Sequence, residues 1–401
     1  MKDQKGMTAL YLAAEHGNLA ATQILLDAKA NVNVKTVAVH LTPLHTAAKN
    51  GYHAILQLLL DAKTSVNATD RYSKTPFHHA ALGGHCAAVQ VLVDAKACLD
   101  IQDKYEMTAL HLAAEQGHAS AMRVLIDAKA TIDAVIQYQR TPLYLAAREG
   151  HAAAIQMLAD AGANLDAKDR DGWNPFLRAA SNGHVDAILV LVNAKADINH
   201  EDQGTRYTAL HWAAQNGHSA AVQVLIDANA SIDAKNYNHL TPLCLAVERG
   251  HDAAVRVLLD AKAAVNIVDP LQRTPLHIAA ENNRSSTVQV LIDAKIPVDI
   301  KDRCFFGENK TALHYAAERD DTTNIRVLLV NKAMIENGDH DKRTALHLAA
   351  SHGRVEAVRV LVDARARIDS TDPVGKTALH YASIGDRCDV IEVLLGASAR
   401  E

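Results

Sequence analysis

The stretch that decides the fold is Thr108-Ala109-Leu110-His111-Leu112-Ala113-Ala114-Glu115-Gln116-Gly117-His118. Thr108 predicts a helix start, because a threonine hydroxyl accepts a hydrogen bond from a free backbone N–H there. The apolar run after it predicts a short first helix. Gly117 predicts its end, because glycine adopts a positive φ without a Cβ penalty. Apolar residues at helical spacing then predict a second helix over 121–128, followed by a polar loop to residue 140.

This pattern recurs twelve times along the chain. The copies begin at Thr8, Thr42, Thr75, Thr108, Thr141, Asn174, Thr208, Thr241, Thr274, Thr311, Thr344 and Thr377. Eight of the eleven steps between them are 33 residues long, and self-similarity at such a period indicates stacked supersecondary units. Proline follows the capping residue in six copies, a position that needs no backbone N–H.

These residues resemble the ankyrin-repeat family. The resemblance is carried by Thr42-Pro43-Leu44-His45-Thr46-Ala47-Ala48, by 108–114, and by Gly-His pairs such as Gly117-His118 and Gly217-His218. It implies an all-α fold, an ankyrin-repeat solenoid of helix-turn-helix units with β-hairpin or loop fingers. It covers residues 1–401, so we expect a single array of about twelve repeats with helix starts near the twelve residues given above.

One column of the repeat departs from the family pattern. Where the family has glycine after the second helix, this chain has mostly lysine, as at Lys96 and Lys129, and glycine only at Gly162. A left-handed residue here costs about 1 kcal/mol relative to glycine. The charged column is interpreted as a solvated edge with ion pairs between repeats, or alternatively as a ladder that binds a ligand.

The ninth and tenth copies are the most irregular. Asn283-Arg284 and Asp320-Asp321 replace the Gly-His pair, and the 37-residue step between these copies lengthens one finger. The hypothesis is a softer joint or a specialised contact point at this place.

Composition narrows the class of function. Acidic residues exceed basic ones, giving a formal charge of −5, which argues against nucleic acid as the main ligand. Five cysteines without a C-x-x-C spacing favour a reducing compartment. No signal peptide or membrane span is visible. We therefore expect a cytoplasmic monomer, with the nucleus as the alternative location, that does not insert into membranes.

The 22 histidines do not predict catalysis or metal binding. Eight share the column of His111 and six follow glycine, and a residue repeated every 33 positions is a framework element. No P-loop, nucleophile elbow or H-E-x-x-H motif occurs. We expect no enzyme activity, no metal and no cofactor.

Aromatic residues in the finger segments are the candidate partner-binding positions. They are Tyr72, Tyr105, Tyr138, Trp173, Tyr207, Tyr237, Phe305 and Phe306. The first three each lie three residues before a capping threonine and should form a row, which either binds a partner or packs finger against finger. On the first helices, Arg178 and Trp212 are further candidates. By resemblance, Asn199 lies in a segment like those that asparaginyl hydroxylases accept, or it simply hydrogen-bonds its loop.

The predicted function is a non-catalytic scaffold or adaptor that holds an unidentified protein through its fingertips and concave helical face. The alternative is a targeting module of a longer protein whose effector or catalytic domain lies elsewhere. An enzyme hidden in the array would need a non-repeating polar cluster, and none is visible in the sequence.

Overall fold

Every first helix begins directly after the capping residue of its copy. In α7 (Ala109–Glu115), the Thr108 hydroxyl accepts the His111 N–H at 3.4 Å, and His111 Nδ1 accepts the Thr108 N–H at 3.3 Å. This is a capping box in which histidine replaces the usual glutamate or glutamine. Six first helices carry proline at their first position, where the missing N–H leaves no bond unmade.

The computed structural model describes residues 2–266, 268–269, 271–302 and 308–399, and the chain divides into two compact units at Gly204. Unit 1 contains twelve α-helices and a short 3₁₀ helix, Gln137–Gln139. The α-helices are α1 Ala9–Glu15, α2 Leu19–Asp27, α3 Pro43–Lys49, α4 His53–Asp61, α5 Pro76–Leu82, α6 Cys86–Asp94, α7 Ala109–Glu115, α8 Ala119–Asp127, α9 Pro142–Glu149, α10 Ala152–Asp160, α11 Pro175–Ser181 and α12 Val185–Asn193.

Unit 2 contains the remaining helix pairs in its described residues. They are α13 Ala209–Gln215, α14 Ser219–Asp227, α15 Pro242–Arg249, α16 Asp252–Asp260, α17 Pro275–Glu281, α18 Ser285–Asp293, α19 Ala312–Glu318, α20 Thr322–Val330, α21 Ala345–Ser351, α22 Val355–Asp363, α23 Ala378–Ile384 and α24 Cys388–Ser398. The described residues form no β-strand, so the all-α prediction is confirmed.

Within each unit the helices stack in two layers, first helices on first helices and second helices on second helices. Alanines such as Ala113 and Ala114 are fully buried in α7, and Leu110 and Leu125 fill the space between the layers. Small side chains let neighbouring backbones approach closely, which explains why so few aromatic residues suffice for this core. The second helix of this copy begins at Ala119, two residues before the predicted start.

Most fingers are closed by a buried aspartate. Asp103 Oδ1 accepts the N–H groups of Tyr105 at 2.8 Å and Met107 at 3.0 Å. The same residue type serves at Asp70, Asp169 and Asp372, and an asparagine serves at Asn236. The finger over 134–140 has Ile136 at this position instead, and it forms an isolated bridge between Ile136 and Arg140.

The lysine column is left-handed. Lys96 has a φ of 60° and Lys129 a φ of 70°, beside 85° for Gly162. No carboxylate of the described residues lies within 4.0 Å of a lysine in this column, whereas the preceding aspartates bond to glutamine, as Asp94 does to Gln90. The expected ion pairs between repeats are therefore absent from this column in the described part of the chain.

Candidate functional site

Most histidines of the first column join their copy to the next, although His111 Nε2 has no hydrogen-bond partner among the described residues. His78 Nδ1 accepts the Thr75 N–H at 3.1 Å, and its Nε2 donates to the Met107 carbonyl of the following finger at 3.0 Å. Burial lowers the pKa of His78, so the ring is neutral with its proton on Nε2. These rings fix helix starts and finger positions, which is a framework role.

The histidines after glycine make the reverse connection. His151 Nε2 donates to the Glu115 carbonyl of the preceding copy at 2.9 Å, and a Cβ on Gly117 would lie 2.6 Å from the His151 ring. In the irregular ninth copy, Arg284 Nε makes the equivalent bond to the Glu248 carbonyl at 3.0 Å. The replacement therefore keeps the contact between the copies.

The tyrosine row is exposed on three successive fingers of unit 1. The side chains of Tyr72, Tyr105 and Tyr138 are 40%, 56% and 49% exposed. Lys104 N donates to the Tyr72 carbonyl at 2.8 Å, and Arg170 N donates to the Tyr138 carbonyl at 3.0 Å. These backbone bonds brace the fingers against their neighbours, while more than a third of each ring faces solvent.

The finger that carries Tyr138 has an unusual backbone conformation. Tyr138 and Gln139 have φ values of 64° and 61°, which are uncommon for residues other than glycine. Arginines surround the ring: the guanidinium carbon of Arg140 lies 5.2 Å from its centroid, and that of Arg170 lies 5.6 Å away. Both distances fall within the range of cation–π attraction.

The interactions continue inward to a buried tyrosine. Tyr144 donates its hydroxyl hydrogen to Asp169 Oδ2 at 2.7 Å and accepts from Arg178 Nε at 2.9 Å. Burial, helped by the bond to Asp169, raises the Tyr144 pKa. Arg178 also lies 4.1 Å from the Trp173 ring centroid. We call this group the Arg–aromatic cluster, which consists of Tyr138, Arg140, Tyr144, Arg170, Trp173 and Arg178.

The Arg–aromatic cluster combines candidates with residues that sequence reasoning missed. Tyr138, Trp173 and Arg178 were candidates, whereas Arg140 and Arg170 were not. Trp173 and Arg178 are only partly exposed, and Arg178 Nη2 lies 3.9 Å from Asp169 Oδ2. The signal for the cluster was present as two breaks in the repeat: Ile136 in an aspartate column and Tyr144 in a histidine column.

The remaining candidates lie elsewhere. In unit 2, the Tyr207 ring lies 4.8 Å from the Trp212 ring, and the Tyr237 side chain is 60% exposed with Arg206 5.6 Å from its centroid. Phe305 and Phe306 lie outside the described residues. Asn199 is exposed on a loop of unit 1, and its N–H donates to Asp197 Oδ1 at 3.1 Å.

Two features of the described residues bear on other functions. No described helix is both long and apolar enough to cross a bilayer. Nor do three histidine, cysteine or acidic side chains of the described chain converge as metal ligands would.

Comparisons with known proteins agree with the geometry. The family model for ankyrin repeats, which spans three copies at a time, matches overlapping segments from end to end: 1–70, 27–103, 44–137, 77–169, 128–202, 176–269, 210–302, 261–337 and 313–400. Among solved structures, the crystal structure of the human ASB11 ankyrin repeat domain is similar at 25% identity and a TM-score of 0.51. That match covers 56% of this chain and 99% of the other. A search of curated proteins finds no match.

Proposed function

This chain belongs to the ankyrin-repeat family, whose arrays are generally protein-interaction modules, and we propose that it is a non-catalytic scaffold or adaptor for a protein partner. Recognition occurs on the fingers of unit 1 and on the adjoining first helices. The observation that carries this proposal is the tyrosine row: three half-exposed rings on three successive fingers, braced by backbone hydrogen bonds.

A braced tyrosine suits recognition for two physical reasons. Its ring has a large apolar face and a polar hydroxyl. Burial of the face therefore stabilises a complex even when water remains in the interface near the hydroxyl. It has few rotatable bonds, and the finger backbone is already held, so little entropy is lost on binding. Tyrosine is accordingly frequent among the residues that dominate interface energies.

We expect Tyr72→Ala/Tyr105→Ala/Tyr138→Ala to lose the proteins that the wild-type chain captures from native lysate, as measured by quantitative mass spectrometry. Each hot-spot truncation costs about 2 kcal/mol or more, so three together should abolish capture of a micromolar partner. Circular dichroism verifies that the variant stays folded.

The matched control removes equally exposed apolar side chains from second helices of the same unit. Ile24 is 67% exposed on α2, and Leu189 is 42% exposed on α12. Ile24→Ala/Leu189→Ala should retain the captured proteins. Equal capture by the tyrosine variant and this control would contradict a binding role for the row. Phe305→Ala/Phe306→Ala tests the lengthened finger in the same assay.

A further inference from the structure

The residue just before the capping threonine is cationic in several copies, and its charge is normally matched by a carboxylate. Arg273 pairs with Asp269 at 2.6 Å, and Arg343 pairs with Asp339 at 2.8 Å, each four residues earlier in the same finger. Lys74 lies 3.4 Å from Asp103 of the next finger. Pairing offsets the cost of removing these partly buried charges from water.

Arg140 occupies the same position without such a partner. Ile136 stands where Arg273 and Arg343 find their aspartate. Arg140 Nε is buried and has no hydrogen-bond partner in the described residues, and none of their carboxylates lies within 4.0 Å of its guanidinium. The finger therefore holds a guanidinium at the repeat position that elsewhere pairs with a carboxylate, with an apolar side chain in place of that carboxylate.

Arg170 adds a second guanidinium near the same tyrosine ring. It is exposed, it lies 5.6 Å from the Tyr138 ring, and no described carboxylate lies within 4.0 Å of it. The nearby Asp169 is already engaged, because Oδ1 accepts the Asp171 and Trp173 N–H groups and Oδ2 accepts the Tyr144 hydroxyl. An external anion would meet two arginines here.

We propose that Arg140 and Arg170 bind the carboxylate of an aspartate or glutamate side chain in the partner segment that lies across Tyr138. This proposal rests on the proposed function and adds the chemistry that the partner must present. The guanidinium fork matches a carboxylate with two parallel hydrogen bonds. A carboxylate is favoured over a phosphate because the equivalent arginines of other copies, Arg273 and Arg343, pair with carboxylates.

The test uses Ile136→Asp, which restores the internal carboxylate, and Ile136→Asn, which has the same shape without the charge. Asn236 shows that asparagine closes such a finger. If the proposal holds, Ile136→Asp melts at a higher temperature than Ile136→Asn, and high salt removes the difference. Equal melting temperatures for the two variants at low salt would overturn the unpaired state assigned to Arg140.

Binding is tested by selecting random displayed peptides on the full-length wild-type chain. We expect aspartate or glutamate at one recurrent position. Ile136→Asp and Arg140→Gln/Arg170→Gln should each weaken a selected peptide about 10-fold or more, whereas Ile136→Asn should not. Replacing the acidic residue of that peptide by its amide should cause the same loss on the wild type and no further loss on the arginine variant.

The outcomes distinguish a failure of the carboxylate site from a failure of the proposed protein-binding function on which it rests. If no peptide is selected on the wild type, both fail. If peptides are selected without a recurrent acidic residue, or bind the arginine variant unchanged, only the carboxylate site fails. A phosphoserine at the recurrent position that binds more tightly than glutamate overturns the assignment to a carboxylate.

Discussion

At the scale of single residues, the left-handed lysines are positions where the chain is strained. Lys129 has a φ of 70°, a conformation in which its Cβ crowds the following carbonyl. Gly162 occupies this column in the next copy, and no atom lies within 4 Å of a Cβ built there, so the site does not select against a side chain by contact. The strain is therefore in the backbone of the residue itself.

We expect Lys129→Gly to raise the free energy of unfolding by about 0.5 to 1 kcal/mol. The relief of left-handed strain exceeds the extra entropy that glycine gives the unfolded chain. Urea unfolding followed by circular dichroism measures the change.

The matched control is Lys168→Gly, at an exposed lysine of unit 1 that does not have a positive φ. There only the entropic penalty applies, so this variant should be less stable than the wild type. A stabilisation by Lys168→Gly equal to that by Lys129→Gly would refute the account based on strain.

At the scale of helices, α20 contains a buried polar side chain whose hydrogen-bond acceptor has no donor among the described residues. Asn324 is fully buried at the third position of this helix, where α16 has Ala254 and α22 has Ala357. Its Nδ2 donates to Asp321 Oδ2 at 2.7 Å, but its Oδ1 has no hydrogen-bond partner among the described residues. A buried acceptor left unpaired costs about 1–3 kcal/mol.

We therefore expect Asn324→Ala to stabilise unit 2 by about 1 kcal/mol, seen as slower hydrogen exchange in α20. Thr287→Ala, at the same position of α18, should instead destabilise it, because Thr287 Oγ1 donates to Asp252 Oδ1 at 2.5 Å. If both substitutions slow exchange, alanine propensity rather than the unmet bond is responsible. Because α18 and α20 lie in the irregular ninth and tenth copies, hydrogen exchange in these two helices also tests the hypothesis of a softer joint there.

The starts of the first helices were predictable from sequence because each depends on neighbouring residues. Thr108 and His111 complete a capping box three residues apart, so the pattern and the structure coincide. The Arg–aromatic cluster was not predictable in the same way. Arg140, Arg170 and Arg178 come from consecutive copies, and their convergence on two tyrosines depends on finger conformation that the repeat period does not encode. The breaks in the repeat at Ile136 and Tyr144 were visible in the sequence. The side chains that meet at these breaks could not be read from it.

At the scale of the whole molecule, buried histidines couple stability to pH. Burial lowers the pKa of His45, His111 and His314 to about 4, and it also lowers the pKa of His78, His277 and His347. Between pH 6.5 and 4 the unfolded chain therefore binds more protons than the folded chain, so stability falls as the pH falls.

We expect the thermal midpoint to be nearly constant above pH 7 and to drop steadily below pH 6.5. Each group with a folded pKa near 4 removes about 1.4 kcal/mol per pH unit, so the three strongest together remove about 4 kcal/mol by pH 5.5. Calorimetry at constant ionic strength measures the midpoint.

His314→Cys introduces the residue type that Cys244 has in the same column. This variant should reduce the slope of the thermal midpoint against pH even if it lowers the midpoint itself. A midpoint that does not change from pH 7.5 to pH 5 would contradict neutral buried rings.

The histidine hydrogen bonds between copies have the same sequence separation in most copies. His45 bonds to a carbonyl 29 residues ahead and His85 to one 36 residues behind, and the same separations recur at His314 and His251. Across the 37-residue step the forward bond of His277 spans 33 residues and still reaches the carbonyl of the residue before the next capping threonine. Unequal recombination between copies can thus delete or duplicate one whole period and rejoin matching donors to matching acceptors, which gives a gene of this kind a simple route to change its copy number.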